Sequence, residues 1–105
     1  MIVNTPAPPY YAVIFTSLRT DVDTDYAATN DHLLELAGEI DGFLGMEAAR
    51  DGLGIAVSYW RDLEAIDKWR KHMDHGVAKQ RGRTEWYTHY KIRICKVEYD
   101  RTFSK

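Results

Sequence analysis

The spacing of the hydrophobic residues divides the chain into strands and helices. Apolar side chains at every second position are typical of a strand, and those at every third or fourth position are typical of a helix. Strand spacing occurs at residues 10–19, 43–50, 55–60 and 85–99, and helical spacing lies between the first and second and between the third and fourth of these segments. The pattern predicts an α+β domain of order βαββαβ, with a four-stranded antiparallel sheet and both helices on one face.

Polar residues before each apolar helical stripe predict where the helices begin. Asp23 or Thr24 is expected to cap the first helix and Asp62 the second, because a side-chain oxygen at the cap accepts a hydrogen bond from a free backbone amide. Gly76 is expected to break or bend the second helix.

Both faces of the predicted strands are apolar. In the first strand, Ala12 and Ile14 point to one side of the sheet while Val13 and Phe15 point to the other. Since a single layer of helices covers only one face, the other face is expected to be buried against a second copy of the chain. The sequence therefore predicts a homodimer in which two sheets pack face to face.

The composition is that of one small globular domain. The chain has 105 residues, 45% of them hydrophobic, and a formal net charge of −2, which gives no reason to expect nucleic acid or an anionic membrane as partner. Its single cysteine, Cys95, agrees with a reducing cytoplasm, and no apolar run approaches the roughly 20 residues that span a bilayer. Three prolines within residues 1–9 predict a flexible N-terminal arm before a domain at 10–105.

Aromatic and imidazole side chains are concentrated between residues 58 and 90. This third of the chain holds all three tryptophans and three of the four histidines, together with several arginines. Rings beside imidazole and guanidinium groups are typical of a pocket for a flat organic molecule, and equally of a dimer interface. The histidines at positions 72 and 75 have a helical spacing that suits metal ligation, but no cysteine or carboxylate cluster completes a ligand set, so no metal site is expected.

Five segments resemble the antibiotic biosynthesis monooxygenase domain family. They are F-T-S in the first strand, G-F-L-G at the start of the second, S-Y-W at the end of the third, W-R-K-H-M-D-H in the second helix and G-R-T-E-W-Y-T-H-Y before the last strand. The resemblance covers nearly all of residues 10–99. It implies a ferredoxin-like fold that pairs into a dimeric α+β barrel. It says less about chemistry, because the superfamily includes cofactor-free quinol oxygenases, haem-degrading enzymes and proteins of no known activity.

The resemblance and the aromatic cluster together suggest a function and a site. We expect a small cofactor-independent monooxygenase that acts on an aromatic or quinol-type substrate between the sheet and the second helix. His75 is the first candidate base and His72 the second, since a neutral imidazole accepts a proton near pH 7. Trp69 is the third residue placed in the catalytic group. The substrate-binding residues are expected to be Phe15, Ser17, Tyr59, Trp69, Arg83 and Trp86.

Two alternatives remain open at this stage. One is a non-catalytic module of the same fold that binds a small molecule or a partner. The other is a haem-binding or haem-degrading protein, because one branch of the family uses an Asn on the first strand, a Trp on the second helix and a His further along. Trp69 matches the Trp, but the chain's asparagines, Asn4 and Asn30, lie outside the first strand, and the His position falls near Lys79. We therefore expect no bound cofactor and weak or no haem binding.

Overall fold

The computed structural model describes residues 1–75 and 77–105, and the side chains of all of these except 74, 75, 77 and 78. Its elements are β1 (Tyr10–Arg19), α1 (Tyr26–Gly38), β2 (Phe43–Asp51), β3 (Leu53–Trp60), α2 (Leu63–His75), α3 (Val77–Arg81), a π-helical segment (Gly82–Trp86) and β4 (Tyr87–Val97). The predicted βαββαβ order is confirmed. The expected break at Gly76 falls outside the described residues. None of the described helices has the length and apolar character needed to cross a membrane.

The four strands form one antiparallel sheet in the order β2-β3-β1-β4. β1 lies at the centre and pairs with β3 on one side and β4 on the other, so the fold is a ferredoxin-like α+β domain, as predicted. The register between β1 and β4 shifts between Leu18 and Arg19, next to the π-helical segment that leads into β4. The sequence pattern did not predict this π-helical segment.

The two helices begin in different ways. Asp62 Oδ1 accepts a hydrogen bond of 2.8 Å from the Ala65 amide, which confirms the predicted cap of α2. The predicted cap of α1 at Asp23 or Thr24 is wrong, because that helix begins at Tyr26, after Asp25 in a left-handed conformation with no side-chain cap. The carboxylate of Asp25 instead accepts a 2.9 Å hydrogen bond from Arg81, a residue that the sequence places 56 positions away.

Trp60 is the centre of the core between the sheet and the helices. Its side chain is 0% exposed and packs with the buried residues Ala37, Ala65 and Ile66. The alanines let α1 and α2 approach the indole closely. The indole nitrogen donates a 2.8 Å hydrogen bond to Ser58 Oγ, so this buried polar group is satisfied.

The opposite side of the sheet, which we call the outer face, has no helix packed on it in the described part of the chain. Leu18, Leu53 and Ile55 on this face are 42%, 50% and 44% exposed. Isolated exposed leucines are ordinary on protein surfaces, but these three lie on the adjacent central strands β1 and β3.

The two chain termini contact one end of the outer face. The Val3 amide donates a 2.8 Å hydrogen bond to Glu47 Oε2, although residues 1–9 contain no helix or strand. The Tyr10 hydroxyl donates a 2.5 Å hydrogen bond to Asp100, which lies beyond β4, and burial leaves Tyr10 only 4% exposed.

Candidate functional site

The side of the sheet that α1 and α2 cover, which we call the helix face, carries three cross-strand rows that matter for the site. Their members follow from the pairing register, since directly paired residues point to the same side. From β2 to β4 the rows are Arg50, Gly54, Ser17 and Tyr90; Ala48, Ala56, Phe15 and Ile92; and Met46, Ser58, Val13 and Ile94. In these rows the β3 residues Gly54, Ala56 and Ser58 are small, whereas β1 and β4 contribute the larger apolar side chains of Val13, Phe15, Ile92 and Ile94.

The helices cover this face incompletely. Ile92 and Ile94 are 53% and 50% exposed even though they point to the same side as the buried Trp60. Val13 and Phe15 on the neighbouring strand are half-buried. An apolar surface that lies beside a helix layer and still reaches solvent is where a small molecule would find both contact area and access.

Aromatic rings form one wall of this surface. The ring of Phe15 lies 5.3 Å from those of both Tyr87 and Tyr90, edge-on to the first and tilted to the second. Arg83 is exposed, and its Nε donates a 2.9 Å hydrogen bond to the Tyr90 hydroxyl. Phe15, predicted to bind substrate, therefore contacts two aromatic rings at the start of β4.

Tyr87 of that wall also contacts Tyr26 of α1. The hydroxyls of Tyr26 and Tyr87 are 3.1 Å apart, and the Arg19 guanidinium lies 3.3 Å from the centre of the Tyr26 ring. Burial and the hydrogen bond with Tyr26 raise the pKa of Tyr87. Burial alone would also raise the pKa of Tyr26, but hydrogen bonds and the positive charges of Arg19 and Arg50 lower it below the ordinary value. The two phenols thus have different acidities at one contact.

Arg50 and Ser17 form the polar end of the helix face. Arg50 Nη2 donates a 2.5 Å hydrogen bond to Ser17 Oγ, and Nη1 donates to the Ser17 carbonyl at 3.2 Å. To reach Ser17 from β2, the arginine side chain crosses β3 directly over Gly54, where a Cβ atom would overlap the guanidinium. Ser17, predicted to line the site, is 2% exposed, so it holds Arg50 in place and presents little surface of its own.

Trp86 is buried next to the site and contacts Tyr26. It is 2% exposed, its indole nitrogen donates a 3.1 Å hydrogen bond to the Thr24 carbonyl, and the Arg81 guanidinium lies 4.8 Å from its ring centre. Its ring also contacts the Tyr26 ring edge-on at 5.6 Å. Of the two predicted substrate-binding residues Arg83 and Trp86, the arginine is therefore exposed, whereas the tryptophan is buried and contacts Tyr26.

The three residues of the predicted catalytic group lie on α2. Trp69 is half-buried, and its ring lies 6.1 Å from the Trp60 ring at an interplanar angle of 30°. The His72 side chain is exposed. The side chain of His75 lies outside the described residues. Trp69 thus packs against the core cluster around Trp60.

Tyr59 requires a correction. The sequence predicts it beside Phe15 and Ser17, but it pairs with Ala12 and points to the outer face, where its ring contacts Tyr10 edge-on at 6.1 Å. The pleat of β3 places Tyr59 and Trp60 on opposite sides of the sheet. A pocket on the helix face is therefore lined without Tyr59.

Sequence reasoning missed Arg50 and Tyr26 as site residues. Arg50 does carry a signal, since alternation along β2 places a charged residue in line with Met46 and Ala48. The contact between Tyr26 and Tyr87 could not be predicted from local sequence, because the two residues are 61 positions apart. Among the side chains that the structure describes, no group of three metal-ligating residues converges.

The fold and this site define a ferredoxin-like α+β domain with a half-open aromatic surface between its sheet and its helices. Residues 9–81 match the sequence profile of the family described as antibiotic biosynthesis monooxygenase, and the chain belongs to this family.

Two relatives support the assignment. The chain is 48% identical over 104 residues to the uncharacterized protein YqjZ of Bacillus subtilis, covering 97% of this chain and 91% of that protein. It is 30% identical over 93 residues to a protein of Pyricularia oryzae named jasmonate monooxygenase ABM, covering 83% of this chain. The match spans only 43% of the length of that fungal protein.

Solved structures show the same fold. PA3566 from Pseudomonas aeruginosa and Rv0793 from Mycobacterium tuberculosis each superpose with a TM-score of 0.66 at 17% identity, over 90% of this chain and 100% and 99% of theirs. A Bacillus cereus protein whose structure is described as a putative antibiotic biosynthesis monooxygenase superposes with a TM-score of 0.56 at 11% identity, over 91% of this chain and all of its own. At these identities the likeness concerns the fold alone.

Proposed function

We propose that this chain is a small monooxygenase that acts on a flat aromatic or quinol-type substrate without a bound cofactor. Family membership and the name of the fungal relative support a monooxygenase reaction. The observation that carries the proposal is the half-open helix face, where Phe15, Tyr87 and Tyr90 stand beside the exposed Ile92 and Ile94. A flat ring placed there would contact both apolar and aromatic side chains.

The proposed reaction draws its electrons from the substrate. A phenol or quinol carbon that bears two hydrogens in its keto form loses both, one oxygen atom of O2 enters as a carbonyl, and the second oxygen leaves as water. The protein contributes a base that forms the reactive anion and groups that stabilise it away from bulk water. His75 is the first candidate base and His72, exposed on the same helix, the second. Trp69 is proposed to support the substrate ring from the α2 side.

We further propose that the outer face is an interface with a second copy of the chain. The supporting observation is the strip of Leu18, Leu53 and Ile55, which lies on the two central strands and is close to half exposed. A domain of 105 residues buries a modest share of its surface, so covering this strip adds stabilising apolar area. The proposed assembly is the face-to-face pair of sheets expected from the sequence.

Oxygen consumption tests the proposed reaction. Purified protein is supplied with a panel of hydroquinones and related phenols in an oxygen-electrode cell, with heat-unfolded protein as the blank. The proposal expects consumption above the blank with at least one flat substrate, at the same rate when metal chelators are present. If the folded protein matches the blank across the panel, while calorimetry detects binding, the non-catalytic binding module replaces the monooxygenase.

A further inference from the structure

We propose that Arg50 is an anion-binding residue of the helix face, so that the site prefers small aromatic molecules carrying a carboxylate, phenolate or enolate. This inference deepens the proposed function and names a substrate class for the same surface. It rests on the hydrogen bonds that hold the Arg50 guanidinium, and on its positive charge and two N–H donors, which have no partner among the described residues.

Arg50 is held in place without any acidic partner. Its guanidinium is bonded to the side chain and carbonyl of Ser17 and, at 3.4 Å, to the carbonyl of Gly52, all of which are neutral groups. Four other arginines, at positions 19, 61, 70 and 81, are paired with carboxylates, whereas Arg83 and Arg93 have no such pair in the described part of the chain. Within the described part of the chain, the positive charge of Arg50 has no counter-ion.

Part of its hydrogen-bonding capacity is also unused. A guanidinium has five N–H donors. The three bonds above use both donors of Nη1 and one of Nη2, which leaves Nε and the second Nη2 donor without a partner among the described residues. Arg50 is exposed, so an incoming oxyanion can reach these donors. A planar guanidinium suits a carboxylate or phenolate because it offers parallel donors in a fixed geometry.

The position of the charge fits a substrate on the helix face. Arg50 lies in the row next to that of Phe15, and Ser17 pairs directly with Tyr90 across β1 and β4. Its charge already lowers the pKa of Tyr26, which contacts Tyr87 of the aromatic wall. A ring packed against Phe15 would therefore direct an anionic substituent toward Arg50.

Gly54 is what allows this arrangement. Any side chain at position 54 would overlap the guanidinium, so only glycine lets the arginine lie flat across β3 and reach Ser17. The overlap is with the end of a flexible side chain, so Gly54→Ala is expected to displace Arg50 without unfolding the sheet. This variant keeps the positive charge but moves it. It therefore tests whether the position of the guanidinium matters, whereas removing Arg50 tests whether the charge matters.

A binding measurement that needs no turnover tests the inference. Isothermal calorimetry compares 2-naphthoate with the neutral 2-naphthamide in the wild type and in three variants. These are Arg50→Met, Gly54→Ala and the control Arg101→Met, whose arginine is exposed beyond the end of β4. The wild type and the control are expected to bind the naphthoate about tenfold to a hundredfold more tightly than the amide. Arg50→Met is expected to lose that preference, and Gly54→Ala to reduce it.

The outcomes separate this inference from the proposed reaction. A wild type without preference for the anion, or an Arg50→Met variant that keeps the full preference, overturns the role of Arg50 even if oxygen consumption is observed. A preference that depends on Arg50 in a protein that consumes no oxygen supports the anion site and rejects the monooxygenase. The double variant Arg50→Ala/Gly54→Ala, in which the overlap is removed, shows by circular dichroism whether alanine at position 54 disturbs the fold itself.

Discussion

The Tyr59 hydroxyl donates a 2.6 Å hydrogen bond to Glu47 Oε1 on the outer face of the sheet. The same carboxylate accepts a hydrogen bond from the Val3 amide through its other oxygen, so one side chain joins β2, β3 and the N-terminal arm. The hydrogen bond from Tyr59 holds the pKa of Glu47 below its ordinary value, with the Val3 amide contributing. In return, the hydrogen bond to Glu47, followed by burial, raises the pKa of Tyr59 to about 12.

Neutralising Glu47 is expected to bring the pKa of Tyr59 back toward its ordinary value of 10.0. Because the folded pKa is the higher one, this contact adds stability that is complete below pH 10 and is lost as the pH rises toward 12. Nuclear magnetic resonance of ring-labelled tyrosine follows the titration of the Tyr59 hydroxyl in the wild type and in Glu47→Gln. Glu35→Gln, which changes an exposed carboxylate of α1, is the control. A wild-type Tyr59 that titrates near pH 10 would show that the contact is absent in solution.

The outer face provides a second prediction. Ile55→Asp places a charge in the middle of the exposed apolar strip, and burying it without a partner is expected to weaken self-association by roughly a hundredfold. Sedimentation velocity at micromolar concentration should give a wild-type mass of twice 12.2 kDa and a monomer for the variant. Leu63→Asp, at an exposed position of α2, is the matched control and should remain a dimer. A wild-type protein that sediments as a monomer contradicts the proposed interface.

Much of the fold could be predicted because it follows from local periodicity. Alternation along β1 and β3 and the stripe of α2 appear within short windows of sequence, and the Asp62 cap bonds to a residue only three positions away. The cap of α1 could not be predicted in the same way, since Asp25 is bonded to the distant Arg81.

The site was predicted less completely because it depends on pairing between strands. The aromatic residues of β4 were recognised from their concentration, and Phe15 from its position in β1. Tyr59 lies on the other side of the sheet because the alternation along β3 separates it from Trp60. Arg50 was missed because its role requires knowing that Gly54 lies between it and Ser17.

The histidines of α2 can be tested as a pair. If either supplies the base, His72→Ala/His75→Ala is expected to reduce turnover by about a hundredfold to ten-thousandfold, which is the usual contribution of general base catalysis. His32→Ala on the exposed surface of α1 is the matched control and should leave the rate unchanged. Full activity in the double variant would show that neither histidine is the general base and would make the Tyr26–Tyr87 pair the next candidate.

Haem binding is expected to be weak or absent. Haem iron needs an axial ligand, and the candidates are His72, which is exposed on α2, and His75, while β1 provides no asparagine to act from the sheet. Titration with hemin, followed at the Soret band, should give a gradual rise without an end point. A sharp end point at one haem per protomer that His75→Ala abolishes would make the haem-binding function the better account.

The fate of molecular oxygen tests the monooxygenase proposal most directly. The substrate that gives the fastest oxygen consumption is converted under 18O2, and the product is analysed at once by mass spectrometry. One labelled oxygen atom per product molecule, formed in the presence of chelators and without added reductant, is the predicted result. A product that takes its oxygen from water, or a reaction that stops when metal or reductant is withheld, contradicts it.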